Sequence, residues 1–209
     1  MDLLDRLDAA RERWDVLRHP FYRRWSEGRL TREELAYYAG EYRHAVIALA
    51  DASEEAAERC QTALRAELEE HAAEERAHVE LWDRFADVLD ADREREPRSE
   101  TEECARAWRA ASDELEGMAV LYAVEANQPA ISRTKLEGLA EHYGVGAESP
   151  AAAYFALHAE RDHEHAAQAR RVLEGRDGAV DEARLVELVE GALEGNWRLL
   201  DGVERRFGR

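Results

Sequence analysis

Apolar residues recur at helical spacing along almost the whole chain, and no segment alternates apolar with polar residues as a half-buried strand would. That periodicity leaves an all-α fold, with boundaries marked by a few punctuating residues. A first helix is expected from Leu3 to Leu17, stopping before Pro20. Thr31 and Glu34 form a capping box that opens a helix to about Ala52, and Ser53 can cap a third running to about Val88. The stretch from Asp90 to Thr101, which contains Pro97, reads as the clearest loop. Helices follow from Glu103 to Ala111 and from Asp113 to Asn127. Pro129 kinks or restarts the path toward His142, which Gly144 and Gly146 stop. Pro150 restarts it to about Leu173, Gly175 and Gly178 break it again, and a last helix spans Asp181 to Arg205. The reading is one domain over residues 1–209, a bundle of about seven helices.

With 209 residues and 45% hydrophobic content, the chain can bury an ordinary core. No apolar run approaches a membrane span, and the N-terminus lacks a basic region followed by an apolar one, so a soluble cytoplasmic protein is expected, with no membrane partner. The net charge of −18 makes nucleic acid an improbable partner, because phosphate binding needs a basic patch. Only Cys60 and Cys104 are present, without metal-type spacing. Of the 29 basic residues all but Lys135 are arginine; scarce lysine with many acids suggests a halophilic host and singles out the lysine that remains.

His158, Asp162 and His165 form a His-x-x-x-Asp-x-x-His pattern. Residues at i, i+4 and i+7 share a helix face, so the three side chains converge. Two imidazoles and a carboxylate suit iron or manganese with positions left open. Composition predicts only ~0.07 such matches by chance, counting against the template. On the third helix His71 and His78 share a face, with Glu74 and Glu75 between them. Glu125 stands in Met118-Ala-Val-Leu-Tyr-Ala-Val-Glu-Ala-Asn127, otherwise nearly uncharged. A buried carboxylate there needs a cation such as Arg133, a donor or a metal.

Together, Val120-Leu-Tyr-Ala-Val-Glu-Ala-Asn-Gln-Pro-Ala-Ile-Ser-Arg-Thr-Lys-Leu-Glu-Gly-Leu139, Tyr143-Gly144, Tyr154-Phe-Ala-Leu-His158, His19-Pro-Phe-Tyr-Arg-Arg-Trp-Ser-Glu-Gly28 and His78-Val-Glu-Leu-Trp-Asp-Arg-Phe85 resemble the haem-oxygenase-like dimetal oxidases. These are relatives of thiaminase II and of the pyrroloquinoline quinone synthase. The resemblance spans about Leu3 to Leu173. It implies a seven-helix bundle holding a dinuclear iron and/or manganese centre that activates dioxygen with an external reductant, and a homodimer. The family's ligands fall on His78, Glu125, His158, Asp162 and His165. The sixth, a glutamate in the family, is His71 here. An imidazole cannot bridge two metals as a carboxylate can, which leaves two readings open: a second metal that is weaker, different or absent, or an oxygen supplied instead by Glu74 or Glu75.

The resemblance also implies a substrate. Chlamydial members of this group make para-aminobenzoate from their own side chains, a tyrosine giving the ring and a lysine the amino group. The corresponding residues here are Tyr22, Tyr38 and Lys135. Competing readings are oxidation of an external small molecule, a cofactor-free enzyme of the thiaminase type, and a non-catalytic regulatory protein that binds a partner. Neither cysteine stands in a motif that reads as a thiaminase nucleophile.

Overall fold

The computed structural model describes residues 2–61, 63–175 and 180–209; Gly178, expected as a break, lies outside them. Among the described residues there are nine α-helices and two single 3-10 turns, and no strand. The helices are α1 (Leu3–Arg13), α2 (Pro20–Ser26), α3 (Arg32–Arg59), α4 (Arg65–Val88), α5 (Ser99–Trp108), α6 (Glu114–Glu125), α7 (Gln128–His142), α8 (Ala153–Glu174) and α9 (Glu182–Arg206). No helix of the described residues is long and apolar enough to cross a membrane.

Four boundaries depart from expectation. α1 ends at Arg13, because Asp15 caps a separate 3-10 turn through Leu17 N–H. Pro20 begins a helix instead of ending one: its missing N–H costs nothing in a first turn, and the His19 ring accepts from Phe21 N–H to cap it. Ser53 caps nothing. Its hydroxyl donates back to the Leu49 carbonyl, and α3 runs on to Arg59. The Thr31–Glu34 capping box forms as expected, and α5 starts at Ser99, four residues before the expected Glu103.

α3 packs along α4, α5 along α9, and α8 against both α6 and α7. α6 is the central element, buried from Glu116 to Glu125 on every side. An aromatic core that includes Phe21, Trp25, Tyr38, Trp82 and Phe155 fills the space between α2, α3, α4 and α8. Each such side chain contributes about 1.5–3 kcal/mol by leaving water. α7 approaches α2 so closely that a Cβ on Gly138 would lie 2.5 Å from Trp25 Nε1. The indole N–H donates to the Lys135 carbonyl at 3.3 Å, which seats that turn of α7 inward.

Candidate metal centre

α4, α6 and α8 bring seven buried or nearly buried ionisable side chains together. α4 contributes His71, Glu75 and His78 at i, i+4 and i+7, α6 contributes Glu125, and α8 contributes His158, Asp162 and His165. Two overlapping donor sets result. One atom each from His71, Glu75, Glu125 and His165 lie within 4.8 Å of one another, as do single atoms of Glu75, His78 and His158. Glu75 belongs to both. It is 1% exposed, with Oε1 3.0 Å from His78 Nδ1 and 3.9 Å from His71 Nε2.

The site's polar atoms are otherwise poorly satisfied. His71 Nε2, Glu75 Oε2, both Glu125 oxygens, His158 Nε2, both Asp162 oxygens and His165 Nδ1 are buried without a well-formed hydrogen bond. His71 Nε2 and Glu125 Oε1 are 2.9 Å apart, but the ring nitrogen does not point its N–H at the oxygen. Buried polar groups are normally paired, and leaving so many unpaired is costly unless a cation sits among them. Imidazole nitrogens with carboxylate oxygens are the donor mix for iron, manganese or zinc. The residues therefore fit a metal pair.

Outer contacts aim the ligands. His158 Nδ1 donates to the Tyr154 carbonyl at 2.7 Å, which fixes the tautomer and leaves Nε2 bare toward the site. His165 Nε2 lies 3.3 Å from Glu74, which Arg161 holds at 2.7 Å. Glu74 is thus the outer partner of His165, and Glu75 is the carboxylate common to both donor sets. Arg133 is not the partner of Glu125; it is exposed and donates to the Ala159 carbonyl. Asp162 lies buried beside the site but in neither donor set.

Burial and mutual charge set the protonation. Burial works against the Glu75 charge, yet the His78 hydrogen bond and the surrounding imidazoles hold its carboxyl down to about 2. Burial and then the charges of Glu125 and Glu75 push Asp162 up to about 10. Burial also opposes charge on His71, but Glu125, Glu75 and Glu74 raise it to about 9. Carboxyls driven this far apart within one buried volume mark a functional site, and a divalent cation would favour the charged form of both carboxyls and the neutral, metal-binding form of His71.

Lys135 is no surface residue: it is 1% exposed. Its Nζ sits 4.9–5.6 Å from the ring centroids of Tyr22, Tyr38, Tyr42, Trp82 and Phe155. Burial pulls its amine down to about 7. The same burial drives the Tyr22 and Tyr38 phenols well above their ordinary value. This cage joins the metal-competent cluster through Tyr154, whose ring stacks on His158 at 4.0 Å and meets Trp82 edge-on at 5.0 Å. The sequence reading missed Tyr42, Trp82, Tyr154 and Phe155. Only the spacing of Tyr38 and Tyr42 on one helix face hinted at a continuous aromatic wall.

Residues 34–197 match the iron-containing redox enzyme family. The chain belongs to that family. Its matched region holds every metal-competent residue above and Lys135, while Tyr22 precedes it. The 4-aminobenzoate synthase of Chlamydia muridarum is 32% identical over 186 residues, covering 83% of this chain and 78% of that protein. The 4-aminobenzoate synthase of Nitrosomonas europaea is 28% identical over 227 residues, covering 96% of this chain and 90% of that protein. Among solved structures, a TenA homologue from P. horikoshii OT3 superposes with a TM-score of 0.79 at 17% identity, over 98% of this chain and 99% of that one. A haem-oxygenase-like domain from Shewanella denitrificans gives 0.81 at 19%, over 99% and 94%. The helical architecture is accordingly the haem-oxygenase-like one that the sequence resemblance implied.

Proposed function

We propose that this chain is a non-haem oxidoreductase with a dinuclear iron and/or manganese centre, and that it forms 4-aminobenzoate from its own tyrosine and lysine. The observation that carries the reading is the joining of two features: donor sets that share Glu75, and a buried amine walled by phenols one ring away from His158. The bound metal pair would supply the oxidising power of dioxygen, with electrons from an external reductant. The chain's own residues do the rest. Glu75, common to both donor sets, would be the carboxylate that bridges and would answer the loss of the family glutamate at His71. His71, Glu125 and His165 would hold one ion with Glu75, and His78 and His158 the other. Asp162, buried beside the site and within the electrostatic reach of Glu125 and Glu75, would be a further ligand.

At the cage, burial excludes water and leaves a large fraction of the Lys135 amine unprotonated at neutral pH, with its lone pair available. Tyr22 and Tyr38 keep their phenol protons until they are oxidised, and either can supply the ring. A thiaminase-type chemistry finds less support. Cys60 ends α3, outside both donor sets, and Cys104 is buried in α5 with its thiol pushed up by burial, which works against a thiolate there.

The test has two parts. Purified protein should contain iron or manganese, and His158→Ala or Glu125→Ala should remove most of it; full metal content in both variants would overturn the site assignment. Metal-loaded protein given dioxygen and a reductant should then release 4-aminobenzoate with no aromatic substrate added, at most a single molecule per chain. Lys135→Arg should abolish product while keeping the metal. An unchanged intact mass alongside repeated turnover of an added small molecule would make it an ordinary oxidase.

A further inference from the structure

The two donor sets meet the surface differently. Glu75, His78 and His158 are 1%, 5% and 1% exposed and form the inner set, beside Tyr154. His71 and His165 instead line a solvent-open cavity of about 290 Å³ between α4 and α8. Its rim carries four carboxylates, Glu67, Glu70, Glu74 and Glu164, against Arg161 and Arg171. Arg161 is committed to Glu74 at 2.7 Å, and Gln168 ties down Glu67 at 2.6 Å. At the floor, the 95%-buried His71 has its unpartnered Nε2 beside Glu125, and Glu74 reaches His165.

We infer that this cavity is the port through which divalent cations load the centre, reaching the outer set first and the inner set by way of Glu75. The inference rests on the metal reading above. A hydrated cation must shed water stepwise, and the cavity supplies replacement ligands in a suitable order. Exposed carboxylates meet it at the rim, Glu74 stands at the threshold, and the imidazoles and buried carboxylates of the outer set lie beneath. Acidic walls over a low-dielectric interior concentrate cations and speed their arrival. Glu75, present in both sets, is the one donor able to hold an ion while it passes inward.

The experiment mixes metal-free protein with Co²⁺ alone in a stopped-flow instrument and follows the absorption of the bound ion. The rim variant Glu67→Gln/Glu70→Gln/Glu164→Gln keeps every donor of both sets. It should load about tenfold more slowly at low ionic strength, and reach the parent's final stoichiometry. The gap should close as salt rises past ~0.1 M, where screening acts over about 10 Å. The same charge change on α9, which packs on α1, α3, α5 and α6, serves as the control: Glu187→Gln/Glu190→Gln/Glu194→Gln should load at nearly the parent's rate. Equal rates for rim variant and parent at low salt, with normal final metal content, would overturn the port alone. Equal slowing by the α9 variant would do the same, since net charge would then explain it. A parent chain that binds no cobalt would overturn both the port and the metal reading.

Discussion

Lys135→Met should stabilise the protein, and by an amount that depends on pH. The amine is fully buried and its pKa falls from 10.5 to about 7. A shift of about 3.5 units corresponds to about 5 kcal/mol of penalty on the charged form. Five aromatic rings within 5.6 Å return part of this as cation–π attraction, an opposing effect of about 0.5–2 kcal/mol. A net gain of about 3 kcal/mol on removing the amine is therefore expected at the acid end. Methionine is of similar length and fills the same volume without a charge. The sign follows from linkage. Between about 7 and 10.5 the unfolded chain binds more protons than the folded one, so the parent gains stability as pH rises through that window. The penalty is complete below about 7 and gone above 10.5, and the advantage of the variant must shrink over the same range. Urea unfolding of parent and variant at pH 6, 8 and 10 measures the difference, and groups common to both chains cancel. A stability difference independent of pH, or a variant less stable than the parent at pH 6, would refute the reasoning. If the lysine is retained at this cost, the cost is for chemistry.

Glu75→Gln should lower metal content more than Glu74→Gln does, as measured by elemental analysis of purified protein, because Glu75 serves both donor sets and Glu74 only steadies His165; the reverse ranking would reassign the shared oxygen. Gly138→Ala should cost about 1–3 kcal/mol in denaturant unfolding, since its Cβ would press on Trp25 Nε1 at 2.5 Å; a neutral result would mean that α7 can retreat from α2 freely.

How much of this could be read in advance varies residue by residue. His158, Asp162 and His165 were legible because helical geometry alone places i, i+4 and i+7 on one face, whatever surrounds the helix. Glu125 was legible because a lone acid in an apolar helix has few ways to exist. The capping box at Thr31 and Glu34 was equally local. Pro20 and Ser53 were misread for a common reason. Each residue type serves two opposite local roles, and hydrophobic periodicity alone does not choose between them: His19 caps the helix that Pro20 begins, and Ser53 turns back to the Leu49 carbonyl.

The helical periodicity of the chain, by itself, determined an all-α protein and the composition of its ligand faces, since both depend on contacts within a few residues. Tertiary structure decided the rest. Glu74 and Glu75 are indistinguishable on paper, yet adjacent helical positions point about 100° apart, and only the packing of α4 against α3 and α8 turns Glu75 into the centre and Glu74 toward Arg161. The lone lysine could have been a surface residue. It became a buried, half-neutral amine because Gly138 lets α7 close on Trp25, and that approach places Lys135 among aromatic rings from four other helices.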